Sequence, residues 1–497
     1  MTNPKPKDKK RVPLNLSREN LVKYGLLILF AALLDIAVVW GKEVTIELVT
    51  GIYFIVALLL VIMYKDFIRY KPDIKKNYKM LVLIGTLLAG NLLIGRIFFF
   101  ILEGFTIWVG TVDPVYVAYA IPLATGPMLV ALLIDIHTAI VFTVLTGLIS
   151  GLWLGSPFYS IFVFAAGLSG AFGVISCRKR SSIWRAGLAV SGVCVFTSMV
   201  ITLARGEFVS IAPLVTLSSA FLNGIIVVTM VSALLPLFEY LFKLTTNISL
   251  LELLDLNQPL MRELLVEAPG TYHHSIIVGN LAEAAAEAVG VNPLMARVSA
   301  YYHDIGKIKM PEYFIENQIA SVSKHDNLAP RMSSLILLSH VKEGVELAKK
   351  HNLPPMIIDI IQQHHGTSIQ TFFYQKAKEQ QDNITLLREE DFRYPGPKPQ
   401  TRVAALVLMA DAVEAASRVL TDTSPARVSL LVDRIINHCI IDGQFDNCEL
   451  TLKDLREIKT HFVYLLTSMY HKRINYPGFD LNNENIDKKP AKASTPK

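Results

Sequence analysis

The chain has 497 residues, of which 52% are hydrophobic, and its mean hydropathy of +0.41 favours a membrane protein of two or three domains. Its net charge of +6 lies mostly in short segments beside apolar runs, which argues against nucleic-acid binding. The four cysteines form no CxxC pair, which argues against a disulfide framework or a thiolate zinc site.

Long apolar segments fill the first half of the chain. Each is long enough to cross the ~30 Å hydrocarbon layer of a membrane as a helix. The eight predicted spans are residues 21–40, 45–64, 81–102, 114–134, 137–154, 159–176, 186–204 and 211–238. Seven spans is the alternative count, because only a few residues around Asp135 separate the fourth span from the fifth.

The connectors between the spans indicate the orientation of the chain. Two of the three connectors on one side are strongly basic, residues 64–79 and 177–185, whereas those on the other side are near neutral. Basic connectors stay in the cytoplasm. We therefore expect a multi-pass protein of the inner or plasma membrane, with everything after Glu239 in the cytoplasm.

The sequence that follows the apolar segments predicts a soluble helical domain. Its apolar residues follow helical periodicity, and no alternation typical of strands is found. Residues 366–400 predict a long insertion with a short helix. The predicted organisation is a basic cytoplasmic N-terminus (1–20), a transmembrane region (21–240), a cytoplasmic all-helical domain (245–480) and a disordered tail (481–497), giving an all-α fold with a polytopic helical bundle first.

Histidines concentrate in the predicted soluble domain, which holds eleven of the twelve. Imidazoles bind first-row divalent metals, and carboxylates can bridge two of them. The candidate ligands are His274, His303, Asp304, His340, His364, His365 and Asp411. After the His303-Asp304 pair, we expect Gly306 to end a helix and bring Lys307 close to a bound phosphate. Glu414, one turn after Asp411, is expected to orient a ligand rather than bind metal.

These residues resemble the HD hydrolase superfamily, in which an H…HD…H…HH…D pattern binds a dinuclear metal centre. Longer segments are similar to the seven-transmembrane-receptor HD family, whose characterised members are cyclic-di-AMP phosphodiesterases. They are APGTYHHSIIVGNLAE (268–283), YYHDIGKIKMPEYFIENQ (301–318), LLSHVKEGVELA (337–348), QQHHGTSIQTFFYQKAK (362–378), FRYPGPKPQTRVAALVLMADAVEAASR (392–418) and MYHKRINYP (469–477).

The resemblance implies a division of the ligands between two ions, manganese or iron. His274, His303, Asp304 and Asp411 would hold one ion, and Asp304 would bridge to a second ion completed by His340, His364 and His365. It also implies hydrolysis of cyclic di-AMP to linear pApA, with the bilayer as the other partner and a homodimer left open. Within the insertion, Phe372, Phe373 and Tyr374 are candidates for stacking on adenine, with core packing as the equal alternative.

The chain departs from the family in the connector between the first and second spans. Family members usually carry a large extracellular domain there, whereas this connector is only about GKEV. Three other functions stay open. One is an HD enzyme for cyclic di-GMP, although the GYP signature expected after the histidine pair is replaced by GTSIQTFFY. The second is a nucleotide receptor without turnover, and the third is a transporter.

Overall fold

The computed structural model describes residues 18–71, 78–109, 113–175, 177, 179–207, 212–318, 323–380 and 387–470. Most of the predicted N-terminal segment and all of the predicted tail lie outside these residues. The described part of the chain is helical and contains no strand, only one antiparallel bridge between Ile369 and Arg393. The predicted all-α fold is thereby confirmed. The chain divides into two compact units, Met1–Leu253 and Leu254–Lys497.

The first unit is a bundle of apolar helices around a core of aliphatic and aromatic side chains. Its helices are α1 (Arg18–Val39), α2 (Ile46–Tyr70), α3 (Lys79–Val109), α4 (Pro114–Val117), α5 (Thr125–Leu133), α6 (Ile136–Leu154), α7 (Pro157–Gly173), α8 (Arg180–Ala204), α9 (Ala212–Phe242) and α10 (Asn247–Leu253). Many outward-facing side chains are large and apolar, as a lipid-facing surface requires.

The predicted number of spans is eight, with seven as the alternative. Seven segments of the described chain are long and apolar enough to cross a membrane, and α7 is a shorter apolar helix. The predicted span 159–176 forms α7, which has 17 residues. At 1.5 Å per residue, α7 is about 26 Å long, at the short end of the range that crosses a membrane. The count of eight spans therefore stays a prediction.

The fourth predicted span is not one continuous helix. A 3-10 turn at Ala118–Ala120 and residues 121–124 separate α4 from α5. Buried amide side chains take up the backbone groups that this break frees. Asn91 donates to the Leu123 carbonyl and accepts from the Gly126 amide, and Asn223 donates to the carbonyls of Tyr119 and Ile121. Irregular backbone at membrane depth is tolerated when it is satisfied in this way.

The second unit contains the histidine-rich segments. Its helices are α11 (Pro259–Glu267), α12 (Pro269–Ala288), α13 (Pro293–Tyr302), α14 (Pro330–Lys350), α15 (Pro355–Gln363), α16 (Thr371–Gln380), α17 (Arg402–Ser417), α18 (Pro425–Ile441) and α19 (Leu452–Met469). The helix of this unit with the most buried residues is α17, which packs against α12, α13 and α15. The insertion 366–400 contains α16 and a 3-10 turn at Glu389–Phe392, with residues 381–386 outside the described chain.

Candidate metal centre

Five elements of the second unit bring all seven candidate ligands together. His274 lies on α12, His340 on α14 and Asp411 on α17. The remaining four come directly after helix ends, His303 and Asp304 after α13 and the His364-His365 pair after α15. A helix end frees the backbone to turn, so that adjacent side chains can point into one site. Six of the seven are buried, and His365 is half-buried.

The seven side chains form two groups with Asp304 between them. One group is His274, His303 and Asp411, and the other is Asp304, His340, His364 and His365; within each group the potential ligand atoms lie within 4.8 Å of one another. Asp304 Oδ2 lies 3.2 Å from His303 Nε2, whereas Oδ1 lies 3.3 Å from His340 Nε2. Each oxygen of this carboxylate therefore faces a different group, which is the arrangement that a bridging ligand requires.

Backbone carbonyls fix the histidine tautomers. Nδ1 of His303 lies 2.6 Å from the Ala300 carbonyl, and His340 and His364 make the equivalent contact with the residue three positions earlier, at 2.6 and 2.7 Å. A carbonyl only accepts, so each Nδ1 carries the proton and donates it. In the neutral ring this leaves the Nε2 lone pair free and pointed into the site, where a metal ion can use it.

His274 is oriented by a side chain instead. Its Nδ1 lies 2.5 Å from Glu414 Oε2, and its Nε2 lies 3.0 Å from Asp411 Oδ1. Arg418 pairs in turn with Glu414 at 2.7 Å. Its neighbour His273 is exposed. Glu414 therefore contacts a candidate ligand, and its role in orienting that ligand stays a prediction.

The donor set fits divalent metal ions. His303 Nε2 and Asp304 Oδ1 are buried without a hydrogen-bond partner, which is costly unless another group occupies the space between them. The ligands are nitrogen and oxygen with no thiolate, a set compatible with manganese, iron or zinc. The Asp304 and Asp411 carboxylates, close to one another across His303, concentrate negative charge that a cation would neutralise.

Burial and the carboxylates set the protonation of the site. Burial lowers the pKa of His340 to about 3, so this imidazole is neutral. Burial also lowers the pKa of His303, but the Asp304 and Asp411 carboxylates outweigh burial and raise this pKa to about 10. A proton on His303 Nε2 and a metal ion there compensate the same carboxylates, so binding of one displaces the other.

Lys307 is held by carboxylates. Its Nζ lies 2.7 Å from Asp304 Oδ2 and 2.8 Å from Glu316 Oε1, and it also lies over the Phe314 ring. Gly306 does not end a helix as expected, because α13 already ends at Tyr302. Its small size serves a close approach instead, since a side chain there would meet the backbone of α14 at His340 and Gly344.

The aromatic candidates of the insertion divide by exposure. Phe373 is 7% exposed and packs with Ala377 and Phe392 in a small apolar cluster, against which Tyr374 also lies. This packing corresponds to the alternative in which Phe373 and Tyr374 belong to the core. Phe372 is 71% exposed and borders a surface cavity of about 380 Å³. Of the three, Phe372 is the ring that presents a free face.

Tyr394 was not among the predicted site residues. Its ring lies against the His365 ring, with centroids 4.1 Å apart and an angle of 31° between the planes, so it covers the most exposed of the seven candidate ligands. Tyr394 belongs to the segment FRYPGPKPQ, which is part of the family resemblance. The spacing of Tyr394 from the histidine pair gave no reason to select it as a site residue. Only the return of the insertion to the segment after α15 places the two rings together, through hydrogen bonds such as Tyr394 N to the Ser368 carbonyl.

The chain is similar to known proteins over both units. Residues 47–246 match the model described as 7TM receptor with intracellular HD hydrolase, and residues 271–416 match the HD domain. Cyclic-di-AMP phosphodiesterase PgpH of Bacillus subtilis is 40% identical over 73% of this chain and 52% of its own length. The Listeria monocytogenes protein of the same name is 36% identical over 85% of this chain and 58% of its own length.

A solved structure, the HD domain of L. monocytogenes PgpH in complex with cyclic-di-AMP, is 46% identical and covers 44% of this chain and 100% of that chain, with a TM-score of 0.42. The chain spans between 52% and 58% of the length of the two curated relatives. The two family models match adjacent parts of the chain in the order that the family name describes. The chain belongs to the family of 7TM receptors with an intracellular HD hydrolase.

Proposed function

We propose that this chain is a membrane-bound, metal-dependent phosphodiesterase that hydrolyses cyclic di-AMP to linear pApA. The observation that carries the proposal is the Asp304 carboxylate, whose two oxygens face two separate groups of buried ligands. Two-metal sites of this kind serve phosphoester hydrolysis. The activity in the printed names of the relatives supports the choice of reaction and substrate.

The proposed centre holds two divalent ions, manganese or iron. His274, His303 and Asp411 would hold one ion, His340, His364 and His365 would hold the other, and Asp304 would contribute a carboxylate oxygen to each. When bound, the ions supply Lewis acidity, which neutralises phosphoryl oxygens and makes water a better nucleophile at neutral pH. The reaction adds water across one P–O3′ bond, so that one 5′-phosphate gains an oxygen and one ribose regains its 3′-hydroxyl.

The chain's own residues position the reacting groups. The carbonyl contacts of His303, His340 and His364 hold the imidazoles so that they do not reorganise when a substrate arrives. Lys307 lies against Asp304. In this position its ammonium group places a positive charge beside a phosphate that is bound at the ions. The exposed Phe372 ring offers an adenine a stacking surface at the edge of the insertion.

We also propose that the second unit lies in the cytoplasm. With α7 as a crossing, Lys71 and Lys179 lie in connectors on the same side of the bundle as the C-terminal end of α9, and Arg180 and Arg185 lie on that side in the first turns of α8. Connectors rich in lysine and arginine remain on the cytoplasmic side. The chain leaves the membrane on that side after Phe242. A cytoplasmic site would meet a nucleotide second messenger directly.

The test uses the full chain in lipid nanodiscs. After metal removal, the protein is reloaded with Mn²⁺ or Fe²⁺ and offered cyclic di-AMP and cyclic di-GMP separately, while linear products are followed. We expect pApA from cyclic di-AMP with either or both metals. Hydrolysis of neither substrate would reject the enzyme, and faster hydrolysis of cyclic di-GMP would reject the substrate.

A matched pair of variants tests the site itself. His274→Ala removes a buried candidate ligand, and His273→Ala removes the exposed neighbouring imidazole. We expect the first variant to lose activity and to bind less than two equivalents of metal, and the second to resemble the wild type in both. Equal effects of the two substitutions would show that the assignment of His274 is wrong.

A further inference from the structure

A cavity of about 60 Å³ lies inside the first unit, beside the broken segment between α4 and α5. Its walls come from α3, the broken segment, the α6–α7 junction and the end of α8. The lining residues are Phe99, Val115, Ala118, Tyr119, Leu154, Ser156, Tyr159 and Arg205. They lie toward the ends of the helices opposite to the basic connectors.

Arg205 supplies a positive charge in a wall that is otherwise mostly apolar. Its Nη2 donates to Ser156 Oγ at 3.2 Å, and its guanidinium lies 5.3 Å from the centroid of the Phe158 ring. Within the described part of the chain, no carboxylate forms an ion pair with it. A guanidinium has five donor hydrogens, so most of them stay available to an anion in the cavity.

Tyr119 adds a second polar group to the same wall. The residue is 3% exposed, and among the described residues its hydroxyl has no hydrogen-bond partner. The neighbouring Tyr159 hydroxyl differs, because it donates to the Ala118 carbonyl. Buried hydroxyls are normally satisfied. An unpartnered one on a cavity wall is therefore a group that a ligand can use.

The backbone beneath this wall is held in place before any ligand binds. Asn223 donates to the carbonyls of Tyr119 and Ile121 at 2.9 and 2.7 Å. The Tyr119 ring is also fixed edge-on against Phe162, with centroids 4.8 Å apart. Interrupted helices at membrane depth commonly line binding sites, because their backbone and side chains turn toward a cavity. Here the interruption carries the unpartnered hydroxyl.

We propose that this cavity binds the carboxylate of a small amphipathic monocarboxylate. Arg205 pairs with the carboxylate through its free donors, and the hydroxyls of Ser156 and Tyr119 complete its hydrogen bonds. Phe99 and Val115 contact the apolar part. One guanidinium and two hydroxyls match a single negative charge, whereas a phosphate dianion in so apolar a wall would need more donors. The ligand reaches the site either from water, as a short acid, or from the bilayer, as a fatty acid.

The experiment measures equilibrium binding to the full chain in phosphatidylcholine nanodiscs free of fatty acid. Radiolabelled butyrate and benzoate are added from water, and radiolabelled oleate is added to the bilayer. Saturable binding of either type supports the proposal and identifies the source of the ligand. Absence of saturable binding for all three acids overturns it. Equal competition by inorganic phosphate overturns the assignment to a carboxylate.

Variants assign the binding to this cavity. Arg205→Gln should weaken binding by about tenfold or more, because the ion pair is lost. Tyr119→Phe should weaken it by roughly twofold to tenfold through loss of one hydroxyl. The control is Arg185→Gln, an exposed arginine at the opposite end of α8, which should bind like the wild type.

Should Arg205→Gln fail to fold, Arg205→Lys keeps the charge but loses the planar fork of donors. It should fold and bind about threefold to tenfold more weakly. Wild-type affinity in folded Arg205→Gln or Arg205→Lys protein would overturn the proposal, because the Arg205 guanidinium would then not contact the bound acid. Folding is judged by size-exclusion elution and by the unfolding temperature.

Discussion

At the scale of single residues, the orientation of each histidine in the site depends on the hydrogen bond that its Nδ1 makes. Three imidazoles donate Nδ1–H to a carbonyl of the preceding turn, whereas His274 donates to Glu414. The helix fixes the position of a backbone carbonyl, whereas a carboxylate side chain can be replaced by mutation. Glu414 is therefore the position at which ligand orientation can be tested without touching a candidate ligand.

We expect Glu414→Gln to weaken metal binding about 10- to 100-fold, because a neutral amide orients His274 less strongly and leaves Arg418 unpaired. Titration of the metal-free protein with Mn²⁺ measures the affinity. Glu263→Gln, an exposed change on α11, serves as the control and should bind like the wild type. An unchanged affinity in Glu414→Gln would contradict the orienting role.

Gly306 offers a second test at this scale. We expect Gly306→Ala to destabilise the second unit by about 1–3 kcal/mol, because the added methyl would meet the backbone of α14, which cannot rotate away. Thermal unfolding of the full chain measures the effect. Gly90→Ala in α3, where a methyl meets open space, should leave the unfolding temperature unchanged. Wild-type stability of Gly306→Ala would show that the two segments are less closely packed than described.

At the scale of elements, the insertion is tied to the region after α18. Arg393 forms a bidentate ion pair with Asp442, at 3.0 and 3.2 Å, and donates to the Thr367 carbonyl at 2.8 Å. Gln444 is buried and bonds both the amide and the hydroxyl of Thr367. These bonds hold the turn after His365 and the segment that carries Tyr394.

Asp442 should make the stability of this connection depend on pH. Burial raises its pKa, but hydrogen bonds from Arg393 and Gln444 outweigh burial and hold the pKa below its usual value of 3.8. A depressed folded-state pKa adds stability above the unfolded value, and that stability is lost as pH falls through the folded-state value. We expect Asp442→Asn to cost about 1 kcal/mol at pH 7 and nothing once Asp442 is protonated in both states.

Denaturant unfolding of the wild type and of Asp442→Asn between pH 7 and pH 3 measures this difference. The gap between the two proteins should begin to close below about pH 4. Asp433→Asn is a suitable control, since that carboxylate makes one ion pair with Lys459 remote from the insertion. A gap that stays constant down to pH 3 would exclude the proposed linkage.

At the scale of the whole molecule, the seven candidate ligands all lie in the second of the two units. Binding of metal to a folded site and not to the unfolded chain raises stability by mass action. We therefore expect a chelator to lower the unfolding temperature of the second unit and to leave the first unchanged. Limited proteolysis at increasing temperature, with fragments assigned to each unit, distinguishes them. The double variant His303→Ala/Asp304→Ala should unfold alike with and without chelator.

Much of this protein could be predicted from its sequence, because the relevant signals are local. Long apolar runs require helices in a membrane, and charged connectors between them carry orientation. The HD pair, the HH pair and their partners could be selected because metal-binding residue types are few and recur at recognisable spacing. The count of eight spans stays a prediction, because α7, from Pro157 to Gly173, is at the short end of the length that crosses a membrane.

Other features depended on contacts between residues distant in the chain. The contact of the Tyr394 ring with His365 and the hydrogen bonds of Asn223 to the break before α5 join segments that lie far apart in the sequence. The distinction between buried Phe373 and exposed Phe372 follows from how α16 rotates against its neighbours. The sequence by itself determined the helical class, the membrane segments and the choice of candidate metal-binding side chains. The tertiary structure decided which oxygen of Asp304 faces which histidines, because that geometry exists only when five separate elements pack together.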